Sequence, residues 1–289
     1  MRGLALTTLA LIGAGVLLGL WLTRPQTVDA ALYDGLTPDP ANGALVFAAM
    51  GCASCHQAAE DGNDTELGGG KRFASPFGTF IAPNISPHPT HGIGAWSDVE
   101  IASAVTHGTG AGGEHLFPAF PYTSYAKASP QDITDLIAHL RDLPEVDQPN
   151  APHEVGFPFN IRTSLGGWKL LFANDSWVLE GDLSEAVTRG RYLVEALAHC
   201  GECHTPRNAL GGLQRSAWLT GGPNPSGEGD IPAINAIDWS DGQLRSYLTT
   251  GLTPDFDSAG GSMVSVIRNL AKLPEDDIDA IIAYLRKLP

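Results

Sequence analysis

All four cysteines of the 289-residue chain fall into two copies of one pattern, Cys52-Ala53-Ser54-Cys55-His56 and Cys200-Gly201-Glu202-Cys203-His204. Two thiols with two residues between them reach the two vinyl groups of one porphyrin. The histidine that follows meets the iron, so C-x-x-C-H is the attachment signature of haem c. The rival chemistries are a four-cysteine zinc site, redox dithiols and two disulfides. Zinc tolerates C-x-x-C pairs but does not require a histidine directly after each. A thioredoxin-type dithiol needs a βαβ context that the chain does not offer. The expectation is two covalently bound haem c groups, attached through Cys52, Cys55, Cys200 and Cys203, with His56 and His204 as axial ligands.

A low-spin electron-transfer haem usually has a sixth ligand, and in cytochromes c methionine stabilises the reduced iron. The chain has three methionines, Met1, Met50 and Met263. Met1 belongs to the N-terminal segment, and Met50 lies too close to Cys52 to reach the opposite haem face. Met263, in Gly260-Gly261-Ser262-Met263, is the ligand expected for the second haem. The position 143 residues before it is Phe120, which cannot bind iron. The first haem is then five-coordinate, closed by water or ligated by a displaced residue. His107 and His115 are the nearest candidates in sequence, ahead of Lys127 and Tyr122. His88, His91, His139, His153 and His199 read as structural or solvated.

The elements that must carry these residues are repeated. The motifs lie 148 residues apart, Cys52 to Cys200, and an amphipathic pattern precedes each: Asn42 to Phe47 and Arg189 to Val194. A glycine in each, Gly43 and Gly190, reads either as a place for another helix to cross closely or as a plain helix position. Trp96-Ser97-Asp98 matches Trp239-Ser240-Asp241 at an offset of 143, as Gly108 matches Gly251. Ile133, Leu136, Ile137 and Leu140 fall at i, i+3, i+4, i+7 after Ser129-Pro130, and Ile278, Ile281, Ile282 and Leu285 repeat that spacing. The expected fold is all-α, two tandem class I cytochrome c domains after an N-terminal transmembrane helix. The domains span 31–143 and 180–289. Residues 144–179 form a linker, proline-rich from Pro144 to Pro158, and an interdomain segment. Within that segment Trp168, Leu170, Leu171, Phe172, Trp177 and Leu179 pack between the domains, or against an interface or partner.

Residues 1–30 read as a membrane anchor or signal segment. From Gly3 to Leu22 there is no charge, and as a helix this run spans roughly 30 Å, a bilayer core. The expectation is a single N-terminal anchor in a bacterial inner membrane with the rest on the periplasmic side. The alternative is a signal cleaved near Val28-Asp29-Ala30. With 17 basic and 32 acidic side chains, a formal charge of −15, the chain lacks the basic face that nucleic acid requires. Residues 31–150 hold 4 basic and 14 acidic groups, residues 180–289 hold 9 and 15. Such a surface steers toward a basic partner, or simply keeps the chain in solution.

The residues resemble the multi-haem cytochrome c subunits of membrane-bound periplasmic dehydrogenases, of the alcohol dehydrogenase type. The resemblance runs through Pro76-Phe77-Gly78-Thr79, Asn84-Ile85-Ser86-Pro87, Gly92 to Asp98, Leu116 to Tyr125, and Cys203 to Gly212. It implies electron transfer from a catalytic subunit toward a quinone pool, an oxidase or a soluble cytochrome, with no catalysis by the chain itself. Many members carry methionine where this chain has Phe120, with His115 beside it, and the alcohol dehydrogenase type often has three haems against two here. The alternative is a haem enzyme or ligand-binding protein with an open coordination position at the first haem.

Overall fold

The computed structural model describes residues 2–58, 63–227 and 229–288, with side chains from Leu6 onward; Met1 lies outside the described residues. Helix α1 (Arg2–Leu22) stands clear of the rest, with Leu9, Leu11, Leu17 and Trp21 exposed. Among the described residues no helix is long and apolar enough to cross a membrane. This corrects the expected transmembrane helix and the inner-membrane location that rested on it.

The chain after α1 lies along the first half, where Thr109 donates to the Gln26 carbonyl at 2.6 Å and Ser103 accepts from the Val28 amide at 3.1 Å. Helix α2 (Pro40–Ala49) is capped by Asp39, whose carboxylate accepts from the Ala41 and Asn42 amides. A turn at Gly51, φ +65°, leads into the one-turn helix α3 (Cys52–His56). Two short strands follow, β1 (Arg72–Ser75) and β2 (Gly78–Ile81), antiparallel with Arg72 opposite Ile81 and Ser75 opposite Gly78. Helix α4 (Asp98–His107) has a Ser97/Glu100 capping box and ends at Gly108 in the left-handed region. Then come α5 (Tyr122–Tyr125), α6 (Pro130–Arg141), capped by Ser129, and strand β3 (Glu154–Val155), which pairs with β2. Helix α7 (Ser164–Phe172) touches both halves: Lys169 donates to the His107 and Gly108 carbonyls, and Trp168 to that of Leu210.

The second half repeats the plan. Helix α8 (Glu185–Tyr192) runs on through a π-helical turn, Leu193–Leu197, to α9 (Gly201–His204). Strands β4 (Gly222–Pro223) and β5 (Asp230–Ile231) pair, and α10 (Asp241–Thr250), α11 (Met263–Leu270) and α12 (Glu275–Lys287) complete the chain. Helix α2 packs on α6 and α8 on α12. At each crossing a glycine admits the partner backbone: a Cβ on Gly43 would lie 2.0 Å from the Asp135 carbonyl oxygen, and one on Gly190 1.9 Å from that of Ala280. Ile133, Leu136, Ile137 and Leu140 of α6, with Ile278, Ile281 and Ile282 of α12, are buried in the core. Arg141 ties Asp98 and the Trp96 carbonyl to α6, and Arg286 ties Asp241 and the Trp239 carbonyl to α12.

The five strands found among the described residues correct the expected all-α class. They are four residues or fewer, too brief to show a period of two, and the first pair is closed by Pro76-Phe77, a two-residue turn braced by the Ser75 hydroxyl.

Candidate haem sites

Each C-x-x-C-H run forms a single helical turn, so its two cysteines share one side with the histidine at the end. None of the four cysteines is paired in a disulfide. Both lead cysteines, Cys52 and Cys200, lie in buried surroundings that push a thiol there up to about 12.

The histidines are oriented alike. His56 Nδ1 lies 2.8 Å from the Pro83 carbonyl oxygen, and His204 Nδ1 lies 2.8 Å from that of Pro232. A carbonyl only accepts, so each ring carries its proton on Nδ1 and keeps the Nε2 lone pair free. Burial lowers both rings below the usual histidine value, against the opposing pull of the carbonyl bond. A neutral imidazole with one nitrogen tied to a carbonyl is what a metal ligand needs.

The acceptor prolines are themselves positioned by a matched device. The Gly69 amide donates to the His56 carbonyl at 2.8 Å, and the Gly221 amide to that of His204 at 2.7 Å. Gly69 (φ +74°) and Gly221 (φ +75°) sit in the left-handed region, and a Cβ on either would meet the Pro83 or Pro232 peptide at 2.5 and 2.7 Å. Two cysteines, a lone-paired Nε2 and a carbonyl brace, present twice, fit two covalently held haem groups. The cysteines and histidines were legible in sequence; Pro83, Pro232, Gly69 and Gly221 were not, since their partners lie 13 or more residues away.

Past α4 and α10 the halves again agree. Isolated bridges join Thr109 to His115 and Leu252 to Ser258, both pairs offset by 143. Phe120 and Met263 therefore follow the same hairpin at the same distance. Met263 opens α11 and is half-buried. Phe120 precedes α5, its ring 5.7 Å from that of Tyr125. His107 Nδ1 pairs with the Thr106 hydroxyl, His115 Nε2 with the Thr23 carbonyl, and Lys127 with the Thr123 carbonyl. The His115 Nδ1 and the Tyr122 hydroxyl are buried without a partner.

His88, His91 and Asp147 cluster on the surface, but His88 Nδ1 accepts from the Thr90 and His91 amides. That fixes the proton on Nε2 and denies its lone pair to a metal.

The cytochrome c family model matches residues 40–144 and 187–289, one copy for each motif. The chain belongs to the cytochrome c family. Over 99% of its length it is 53% identical to a "Diheme cytochrome c-type" protein of Cereibacter sphaeroides and covers 97% of that protein. It is 37% identical over 98% of its length to the fructose dehydrogenase cytochrome subunit of Gluconobacter japonicus, and 34% identical over 89% to the gluconate 2-dehydrogenase cytochrome c subunit of Pantoea cypripedii. It spans 58% and 62% of those two subunits. This cytochrome c carries two covalently attached haem c groups and serves electron transfer.

Proposed function

We propose that this dihaem cytochrome c accepts electrons from the catalytic subunit of a periplasmic dehydrogenase and passes them toward a quinone pool, an oxidase or a soluble cytochrome. Cys52, Cys55 and His56 hold the first haem within residues 31–143; Cys200, Cys203, His204 and Met263 hold the second within 180–289. Bound haem supplies one-electron chemistry between ferric and ferrous iron. The polypeptide presents the neutral Nε2 of each histidine, fixes each ring through a proline carbonyl, and surrounds both sites with buried side chains. The paired histidine–proline brace is the observation that carries the reading, because it prepares two metal ligands of one kind. The relatives named for fructose and gluconate dehydrogenases support a dehydrogenase donor and do not favour a reactive open site at the first haem.

Deletion of the gene tests the assignment. Substrate-dependent oxygen uptake on the dehydrogenase's sugar, acid or alcohol should be lost, while reduction of an artificial dye by the dehydrogenase persists. Unchanged oxygen uptake on every such substrate overturns it.

A further inference from the structure

The hairpin that precedes each distal position is the same turn built twice. In the first half the Gly110 amide donates to the Glu114 carbonyl at 2.9 Å and the Gly113 amide to that of Gly110 at 2.9 Å. In the second the Thr253 amide donates to the Asp257 carbonyl at 2.8 Å and the Phe256 amide to that of Thr253 at 3.0 Å. The offset is 143 throughout, so Phe256 is the counterpart of Gly113. Both are left-handed, with φ +63° at Phe256 and +74° at Gly113.

Glycine adopts that conformation freely; a bulky L-residue there is strained. The first half uses the unstrained residue. The second puts a phenylalanine in its place and leaves it 90% exposed, where the ring gains no burial to offset the strain. Strain kept at an exposed position points to a role outside folding.

The surroundings say what that role is. Asp255 and Asp257 flank the ring and are themselves exposed, and Leu252 in the same hairpin is 46% exposed. The turn is held by the Thr253 hydroxyl, which accepts from the Asp257 amide at 3.1 Å, and by the Asp257 carboxylate, which accepts from that of Ser258 at 2.8 Å. A fixed aromatic on a braced turn loses little entropy when it enters a pocket, and aromatics at the centre of small interfaces carry much of the binding energy.

We propose that Phe256 is the anchor by which the second half docks a basic electron-exchange protein, its ring entering an apolar pocket ringed by lysine or arginine side chains that pair with Asp255 and Asp257. This rests on the electron-transfer reading above. The two carboxylates disfavour an anionic lipid surface, and a chain of charge −15 repels its own copy.

The test uses the holo-cytochrome in stopped-flow oxidation by two acceptors, a lysine-rich soluble cytochrome c and ferricyanide. Phe256→Gly, which installs the first half's residue, should slow the protein acceptor roughly tenfold while leaving ferricyanide oxidation and both haem potentials unchanged and the melting temperature equal or higher. Phe256→Tyr should restore the rate, and Asp255→Asn with Asp257→Asn should flatten its salt dependence. The docking proposal is overturned if Phe256→Gly matches the wild type, if both acceptors slow together, or if the wild type uses Phe256 to bind phosphatidylglycerol vesicles or to dimerise. A wild type that reduces neither acceptor overturns the relay itself.

Discussion

Asn269, in α11 of the second half, donates from Nδ2 to the hydroxyl oxygen of Ser54 at 2.8 Å, and Ser54 is the third residue of the first C-x-x-C-H run. The third residue of the second run is Glu202, and its carboxylate accepts from the Thr123 and Ser124 hydroxyls of α5 at 3.1 Å each. Each attachment turn is thus held by the short helix that follows the distal position of the other half. Between them Tyr125 donates to the Met50 carbonyl at 2.8 Å, with its ring 5.4 Å from that of His199. Tyr125 thus bridges, across this seam, the segments that lead into the two attachment turns.

The seam is asymmetric in charge, and that gives the first prediction. Glu202 also pairs with Arg207 at 2.5 Å, and its side chain is 11% exposed. Glu202→Ala leaves Arg207 short of its carboxylate and two hydroxyls without an acceptor. The expected loss is about 2 kcal/mol, below the range for a fully buried pair because Arg207 is partly solvated. Asn269→Ala removes one neutral hydrogen bond and should cost about 1 kcal/mol. Denaturant unfolding of the holo-protein checks both, and a cost for Glu202→Ala no larger than that for Asn269→Ala contradicts the electrostatic account.

The helix crossings give the second. Gly43 and Gly190 let backbone meet backbone, so a methyl group at either must push α2 off α6 or α8 off α12. Gly43→Ala and Gly190→Ala should each destabilise by roughly 2–3 kcal/mol, the scale of overpacking. The alanine's better helix propensity recovers about 1 kcal/mol at most. Gly242, in α10 with open space around its Cα, is the control: Gly242→Ala should be neutral or stabilising. Thermal melts followed at 222 nm, the helical circular dichroism band, decide between the two signs.

The repeat was legible because its signals are local. The C-x-x-C-H runs, the Trp-Ser-Asp caps and the i, i+3, i+4, i+7 stripes each sit within one element, and the crossing glycines fall inside recognisable helices. What escaped were relations between distant residues: Pro83 and Pro232 as histidine acceptors, Asn269 reaching back to Ser54, and β3 joining the hairpin from within a proline-rich stretch. The N-terminal run misled for another reason. Counting uncharged residues gave a membrane span, whereas among the described residues no helix is long and apolar enough to cross a membrane.

Histidine burial gives the third prediction. His107, His115, His139, His153 and His199 are all lowered by desolvation first. In the unfolded chain each titrates near the usual value of about 6.5. As pH falls through that value the unfolded chain takes up protons before the folded one, so stability rises with pH across the window and is lost toward acid. His115 is a strong case, since Nδ1 is buried without a partner while Nε2 already meets the Thr23 carbonyl. The melting temperature should fall between about pH 7 and 5, and His115→Gln should make that fall shallower. An unchanged slope in the variant removes His115 from the account.

The fourth prediction concerns the iron ligands. Phe120 and Met263 stand at the same distance past matched hairpins, yet only the second offers a thioether. The ferric holo-protein should therefore show the sulfur-to-iron charge-transfer band of one methionine-ligated haem rather than two. Met263→Ala should abolish that band and lower the second haem's potential, because the soft thioether that favours ferrous iron is gone. Phe120→Met should add a second band of similar strength. If Phe120→Met leaves the first haem's spectrum untouched, the two positions are not equivalent about the iron, and the 143-residue correspondence ends at the Thr109–His115 and Leu252–Ser258 bridges. If Met263→Ala leaves the band in place, the sulfur comes from another residue and the assignment of Met263 falls.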